Sequence, residues 1–286
     1  MEKIAIVNRK GGAGKTTTAH AIGAGLAKRG YKVLLIDLDS QTNLSLTLSA
    51  DTDGTTSLEV LTGEATAKDA IQHTGQGDII AASQNLAGAD MLLSGKGAEY
   101  RLKKGLEPVQ NEYDFIIMDT PGQLGLLTVN ALTAADSTIL TLQADSYNLL
   151  GLGLVYETIS AVKKHSNKDL TIKGILATRY DSRTILSRDM LENIGAAAAQ
   201  INTRLFEVPI RECIAIKEAQ AYGLNIFDYA PRSNAAKDYT ALLDEIDTKK
   251  QKKPTQTARK PRATKNTKTT AHKARTAQKG RGKNGK

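Results

Sequence analysis

The sequence predicts an α/β fold, a doubly wound, mostly parallel β-sheet with helices on both faces. Three observations carry this expectation. Short apolar runs alternate with helix-length segments along most of the chain, the pattern of βαβ units joined by right-handed crossovers. Most of the runs are apolar at nearly every position, as in Val33-Leu34-Leu35-Ile36 and Phe115-Ile116-Ile117-Met118. Strands covered on both faces read this way, whereas strands with one wet face alternate. Finally, the first run leads directly into a glycine-rich loop and a helix-like segment, the context in which such a loop cradles phosphate.

Taken in order, strands are expected at 3–8, 33–37, 78–82, 114–119, 138–143, 172–178 and 204–208. Helices are expected near 15–29, 55–62, 86–94, 97–111, 124–135, 148–164, 187–202, 214–221 and 234–247. In the first helix Ala19, Ile22, Gly23 and Leu26 share one face, Lys28 and Arg29 suit the negative end of the helix dipole, and Gly30 suits the C-terminal cap. No internal repeat is present. One domain is expected over 1–247.

The remainder, 248–286, has a different composition. It contains no Val, Ile, Leu, Met or aromatic residue, so it cannot bury enough apolar area to offset the entropy of ordering and is expected to be disordered. Of 39 Lys/Arg and 30 Asp/Glu in the chain, 15 of the former and none of the latter lie between Lys249 and Lys286. The first 248 residues therefore hold 24 basic against 30 acidic side chains, and the net charge of +9 comes from the tail. A mildly acidic body with a strongly basic tail points to a polyanionic partner, nucleic acid or an anionic membrane.

Several functions are set aside by what is missing. The lone Cys213 cannot form an internal disulfide or a multi-cysteine metal site. His20, His73, His165 and His272 are scattered without ligand spacing, and no serine sits in a nucleophile-elbow pattern. Apolar stretches fall far short of the ~20 residues of a membrane span. Met1-Glu2-Lys3 runs straight into the first strand rather than into a leader, so a cytoplasmic protein is expected.

Residues 8–17 read Asn8-Arg9-Lys10-Gly11-Gly12-Ala13-Gly14-Lys15-Thr16-Thr17, an altered form of the G-x-x-x-x-G-K-[ST] loop. Glycines let the backbone curl so that N–H groups of Gly11, Gly12, Ala13, Gly14, Lys15, Thr16 and Thr17 converge on phosphate oxygens. The following helix adds its positive N-terminal end. Lys15 can reach the β- and γ-phosphates of ATP, and the Thr16 hydroxyl can ligate Mg²⁺. Two further strands end in carboxylates, Asp37-Leu38-Asp39 and Asp119-Thr120-Pro121. An apolar strand closed by Asp119 fits a Walker B element, which holds Mg²⁺.

Lys10-Gly11-Gly12-Ala13-Gly14-Lys15-Thr16-Thr17 resembles the deviant Walker A motif of the ParA/MinD family of P-loop ATPases. The resemblance extends over nearly all of 1–247, through Asp37-Leu38-Asp39-Ser40-Gln41, Asp119-Thr120-Pro121-Gly122, Thr178-Arg179-Tyr180-Asp181-Ser182-Arg183-Thr184 and Val208-Pro209-Ile210-Arg211. Ser40 and Gly122 stand where that family commonly has proline, and neither removes a charge. The resemblance implies that Lys10 reaches across an ATP-sandwich homodimer to the partner's nucleotide. It further implies that Asp39 positions the attacking water and that Asp37 supports the Mg²⁺ shell. Asp181 or Pro209 is expected near adenine, with a loop-packing role as the alternative.

The functional expectation is an ATP-dependent DNA-partition protein. Its ATP-bound dimer would bind DNA without sequence preference, and hydrolysis stimulated by a ParB-like partner would release it, giving a nucleoid-associated distribution. Arg211, Lys217, Arg232 and Lys237 are candidates for a DNA-facing patch on the body or for an ordinary solvated surface. The alternative is a MinD-like membrane-associated ATPase, but the tail offers no bulky apolar residues for an amphipathic anchor.

Overall fold

The structure, a computed structural model, describes residues 1–144 and 148–247. The chain divides into two units, Met1–Thr248 and Lys249–Lys286. The disorder expected for 248–286 falls outside the described residues.

Seven strands form one sheet: β1 (Glu2–Val7), β2 (Val33–Asp37), β3 (Ile71–Thr74), β4 (Gly77–Ile80), β5 (Phe115–Asp119), β6 (Ser137–Gln143) and β7 (Thr171–Thr178), in the order β3-β4-β2-β5-β1-β6-β7. All neighbours run parallel except β3 and β4. The helices are α1 (Lys15–Lys28), α2 (Asn43–Thr47), α3 (Ser57–Thr62), α4 (Ala67–Ala70), α5 (Ala89–Leu92), α6 (Arg101–Gly105), α7 (Leu126–Ala134), α8 (Asn148–His165), α9 (Ile185–Gln200), α10 (Ile214–Ala221), α11 (Ile226–Tyr229) and α12 (Asn234–Ile246).

The all-apolar strands are explained by what covers them. Successive side chains leave a strand on opposite faces, so each strand feeds two cores. Ala5, Val7, Leu34, Ile36, Ile116 and Met118 pack into one, with α3, α6, α7, α8 and α9. Ile4, Ile6, Leu35, Phe115 and Ile117 pack into the other, with α1 and α12. Helix α1 lies close against its neighbours: a Cβ on Gly25 would meet Leu243 Cδ1 at 2.2 Å, so a side chain there would require Leu243 to move.

Departures from expectation have local causes. The β3–β4 hairpin places an antiparallel strand on the sheet edge, and its Ile71-Gln72-His73-Thr74 is too polar to read as a buried strand. Segment 204–208 runs beside β7, with Ile175 N–H donating to Arg204 O and Phe206 N–H to Ile175 O. It forms a single bridge, Ile175–Leu205, rather than a strand; Pro209 follows and has no N–H to continue the ladder. The helix expected over 97–111 is broken into short pieces around α6, with Gly97 at φ 82° and Pro108 within the last of them.

The parallel register brings the C-terminal ends of β1, β2 and β5 to one edge. Asp37 of β2 stands directly opposite Asp119 of β5, which is itself paired with Ile6 of β1. The glycine-rich loop leaves β1 one residue later. Ligand sites of open parallel sheets lie at this edge.

Candidate functional site: a nucleotide cleft at the strand ends

Between β1 and α1 the chain turns through Gly12 (φ 75°) and Gly14 (φ 79°), both in the left-handed region that side chains disfavour. Helix α1 starts with no side chain capping it and no acidic residue in its first turn. Its first N–H groups have no intrahelical acceptors, so they are left for an anion. Neighbouring chain braces this loop. Asn8 Nδ2 donates to Thr141 O at 2.6 Å, Asn8 Oδ1 accepts from Lys10 N, and Thr178 Oγ1 donates to Ala13 O at 3.1 Å.

The loop opens onto a cleft of about 710 Å³. Gly11, Gly12, Gly14, Lys15, Thr16, Thr17 and Asp39 line one part, together with Thr178, whose hydroxyl touches the loop; Arg179 and the strip Ile210–Cys213 line another. Lys15 is only 6% exposed. Burial pulls its pKa down, opposed by the carboxylates of Asp119 and Asp39. Its Nζ lies 3.4 Å from Lys10 O, so the ammonium is folded over the loop where phosphate would sit. Lys10 itself is exposed and does not line the cleft of its own chain.

The three carboxylates behave differently. Asp119 is fully buried, and among the described residues neither of its oxygens makes a hydrogen bond. Burial raises its pKa far above the usual carboxylate range, reinforced by Asp37; the neighbouring Thr16 hydroxyl and Lys15 ammonium oppose this. A buried carboxylate left without partners beside a hydroxyl and the phosphate loop has the donor set that suits Mg²⁺, a hard cation taking oxygen ligands. Asp119 and Thr16 are therefore the residues that fit the metal.

Asp37, also buried, is already occupied. Its Oδ1 accepts from Asp39 N at 3.0 Å, and its Oδ2 accepts from Ser45 N (2.9 Å) and Ser45 Oγ (2.7 Å). Burial raises its pKa to about 6 in spite of these bonds. It does not line the cleft. Its bonds instead anchor the loop bearing Asp39 and the start of α2, which places any support for a metal one step removed. Asp39 is half-buried, faces the cleft, and steadies its loop by accepting from Gln41 N at 3.0 Å.

At the far end, Arg179 has a left-handed backbone (φ 52°) and pairs with Glu212, Nε to Oε2 at 2.8 Å. Glu212 N–H donates to Tyr180 O, and Tyr180 N–H to Ile210 O. Arg211 is held by Asp238 on α12, its Nε donating to Oδ2 at 2.9 Å. Asp238 is 3% exposed and Arg211 37%, so this guanidinium is ion-paired where the expected patch would have it free, and it lines the cleft. Lys217, Arg232 and Lys237 are exposed, and Lys217 lies 3.6 Å from Glu212.

Asp181 and Pro209, expected near the base, do not line the cleft. The left-handed turn at Arg179 carries the chain away, and Asp181 forms a closed pair with Arg183 just before α9. The cleft instead takes Thr178-Arg179 and Ile210. The signal was available: the ligand edge begins where the strand ends, and β7 ends at Thr178. Gln220, Asn43, Leu46 and Thr47 also line the cleft, and no motif in the sequence singles them out.

Comparison with known proteins agrees with this geometry. A family model described as an AAA domain matches residues 1–172. The sporulation initiation inhibitor protein Soj of Bacillus subtilis is 40% identical over 249 residues, covering 85% of this chain and 97% of that protein. The chromosome partitioning protein ParA of Myxococcus xanthus is 36% identical, covering 85% and 87%. The chain belongs to the ParA/Soj family of P-loop ATPases. Among solved structures, cobyrinic acid a,c-diamide synthase from Mycobacterium smegmatis with bound ATP analog and magnesium aligns with a TM-score of 0.78 at 35% identity, covering 90% of this chain and 99% of that one. The cell division ATPase MinD from Pyrococcus furiosus aligns at 0.70 and 28% identity, covering 86% and 98%. These relatives of the ParA/Soj chain differ in named task and share the nucleotide fold, and ATP with Mg²⁺ is the cofactor pair consistent with it.

Proposed function

We propose that this ParA/Soj-family protein is an ATP-dependent DNA-partition ATPase of the cytoplasm, acting as a nucleotide-switched homodimer on the nucleoid. The observation that carries the hydrolytic part is the set of Lys15, Asp39 and the unpartnered Asp119 carboxylate gathered round one uncapped helix N-terminus. The partition role is supported by the relatives named Soj and ParA and by the charge of the tail.

Each residue has a part in this reading. Backbone N–H groups of Gly11–Thr17 and the α1 dipole hold the phosphates. The Lys15 ammonium offsets charge on the β- and γ-oxygens as the terminal phosphoryl group leaves. Asp119 and Thr16 would hold Mg²⁺, which supplies charge neutralisation at the phosphates. Asp39 orients the attacking water, and Asp37 fixes Asp39 in place. Lys10, turned out of its own cleft, serves the nucleotide of a second copy.

DNA is held by phosphate contacts without base readout, because the tail has basic residues and no aromatic side chains to stack. If about eight tail cations meet phosphates, log affinity falls with log salt at a slope of roughly −7. A ParB-like protein is the expected stimulator of hydrolysis.

The test is DNA binding across a salt series with ATP, ADP and no nucleotide, for the full chain, for a chain ending at Asp247, and for each with Lys10→Ala. The proposal expects ATP-dependent binding by the body that Lys10→Ala abolishes, with the tail adding salt-sensitive affinity. Binding that ignores nucleotide in every form would overturn the switch. Likeness to MinD supports a second reading, and association with anionic vesicles in preference to DNA would favour it.

A further inference from the structure

Helix α10 touches the phosphate loop through one polar contact. Gln220 Nε2 donates to Thr17 Oγ1 at 3.0 Å. Thr17 is the residue after the proposed Mg²⁺ ligand and lies in the first turn of α1, where the free N–H groups face the cleft. A hydroxyl has one hydrogen to donate and two lone pairs. With Gln220 filling an acceptor site, the Thr17 hydrogen is left to point at a phosphate oxygen.

Thr17 and Gln220 line the nucleotide cleft on one side. On the other they line a second cavity of about 10 Å³, with His20, Ala21, Ile216, Ala219, Leu224 and Ile226. The pair is thus a thin partition between two spaces. His20, 5% exposed on α1, has no partner for Nε2 among the described residues, so it does not supply a competing polar link. The same short helix begins at Ile214, directly after the strip Ile210–Cys213 that lines the opposite end of the cleft.

We propose that Gln220 is a positioning residue for nucleotide binding: it fixes the Thr17 hydroxyl toward the phosphates and so links α10 to the phosphate loop. This rests on the reading of the cleft as an ATP site. It goes beyond that reading by assigning a side chain on α10 to the loop's geometry.

The test is a double-mutant cycle on the full chain, measuring the Kd of a hydrolysis-resistant ATP analog with Mg²⁺ alongside thermal melting. Gln220→Met keeps length and removes the donor, and should weaken binding about three- to tenfold, the worth of one neutral hydrogen bond. Melting should shift little. Gln220→Glu accepts only, so it captures the Thr17 hydrogen and adds charge beside the phosphates; it should weaken binding more than Gln220→Met. Thr17→Val should lose affinity by itself, and Gln220→Met added to it should lose nothing further. Unchanged affinity in Gln220→Met, or losses that multiply in the double variant, would overturn the proposal while leaving the ATP site standing. Failure of the unsubstituted protein to bind the analog would overturn both.

Discussion

At the phosphate end of the cleft, Gly11–Thr17 offer backbone N–H groups whose places are set by two left-handed glycines and a helix start. At the opposite end, Arg179 and Ile210–Cys213 offer side chains held by ion pairs, Arg179 with Glu212 and Arg211 with Asp238. The first end is fixed by covalent geometry and sheet register, with Thr141 and Thr178 bracing the loop from neighbouring strands. The second is fixed by contacts between segments distant in sequence. Affinity and chemistry should therefore depend steeply on the first end, whereas substitutions at the second should be felt as stability or not at all.

The largest effects are expected at the phosphate end. Lys15→Ala should reduce ATP turnover by about 100-fold or more, the scale of losing a preorganised charge at a transition state, with far-ultraviolet circular dichroism unchanged. A loss of only a few-fold would show that the loop backbone alone carries the chemistry. Asp119→Asn should cost turnover on a similar scale and remove its Mg²⁺ dependence. In the nucleotide-free protein it should nevertheless raise Tm, because an amide in that buried position carries no charge to desolvate. A lowered Tm would mean that the Asp119 carboxylate is structurally satisfied after all.

Next in size is Arg211→Ala at the far end, which leaves the buried Asp238 without its cation. A loss of about 1–2 kcal/mol in unfolding free energy is expected, less than for a fully buried pair because the Arg211 side chain is 37% exposed. It should be read in urea titrations, with turnover per folded molecule within a few-fold of the unsubstituted protein. A turnover collapse without a stability loss would reverse the roles assigned to the two ends.

A pH series separates the ends further. Asp37 is raised from 3.8 to about 6 in the folded state, and Asp119 is raised as well. The native protein thus binds these protons more tightly than the unfolded chain. For Asp37 the favourable contribution is complete below about pH 4 and is lost as pH climbs through 6, and Asp119 contributes in the same direction. Stability of the nucleotide-free protein should fall across that window, by less in Asp37→Asn. Urea midpoints from pH 4 to 7 check this, and a rise specifically attributable to these groups would contradict it. The Arg179–Glu212 pair has Glu212 lowered by its partner, so it contributes in the opposite direction, and only weakly because it is exposed.

How much of this was legible follows the same division. Strand ends and the loop were legible because they depend on local chemistry: the run Val33–Asp37 coincides with β2, and the glycines of the loop fall where left-handed backbone is needed. Residues 78–82 and 214–221 were placed as elements for similar reasons, whereas α2, α4 and α11 are too short to show a period. The far wall was less legible. Asp181 was expected near adenine from the family resemblance, with loop packing as the alternative, on the stretch that begins at Thr178-Arg179. The left-handed backbone of Arg179 turns the chain there, and no composition rule announces it for an arginine. The Asp238 partner of Arg211 lies 27 residues on, a pairing that only the docking of α12 creates.

The smallest effect is expected from Arg179→Ala. Both partners of its ion pair are more than 40% exposed, and exposed pairs contribute at most about 1 kcal/mol. Alanine is disfavoured at a left-handed backbone much as arginine is, so the strain at φ 52° is not relieved by the change. The pocket wall beneath it remains, because Tyr180 N–H still donates to Ile210 O and Glu212 N–H to Tyr180 O through the backbone. The Kd for an ATP analog should thus change by no more than about threefold, and so should the Kd ratio between ATP and GTP analogs. A change of tenfold or more in that ratio would mean the guanidinium reads the base directly, and the far end would then be a recognition surface in its own right rather than a wall held in place by its surroundings.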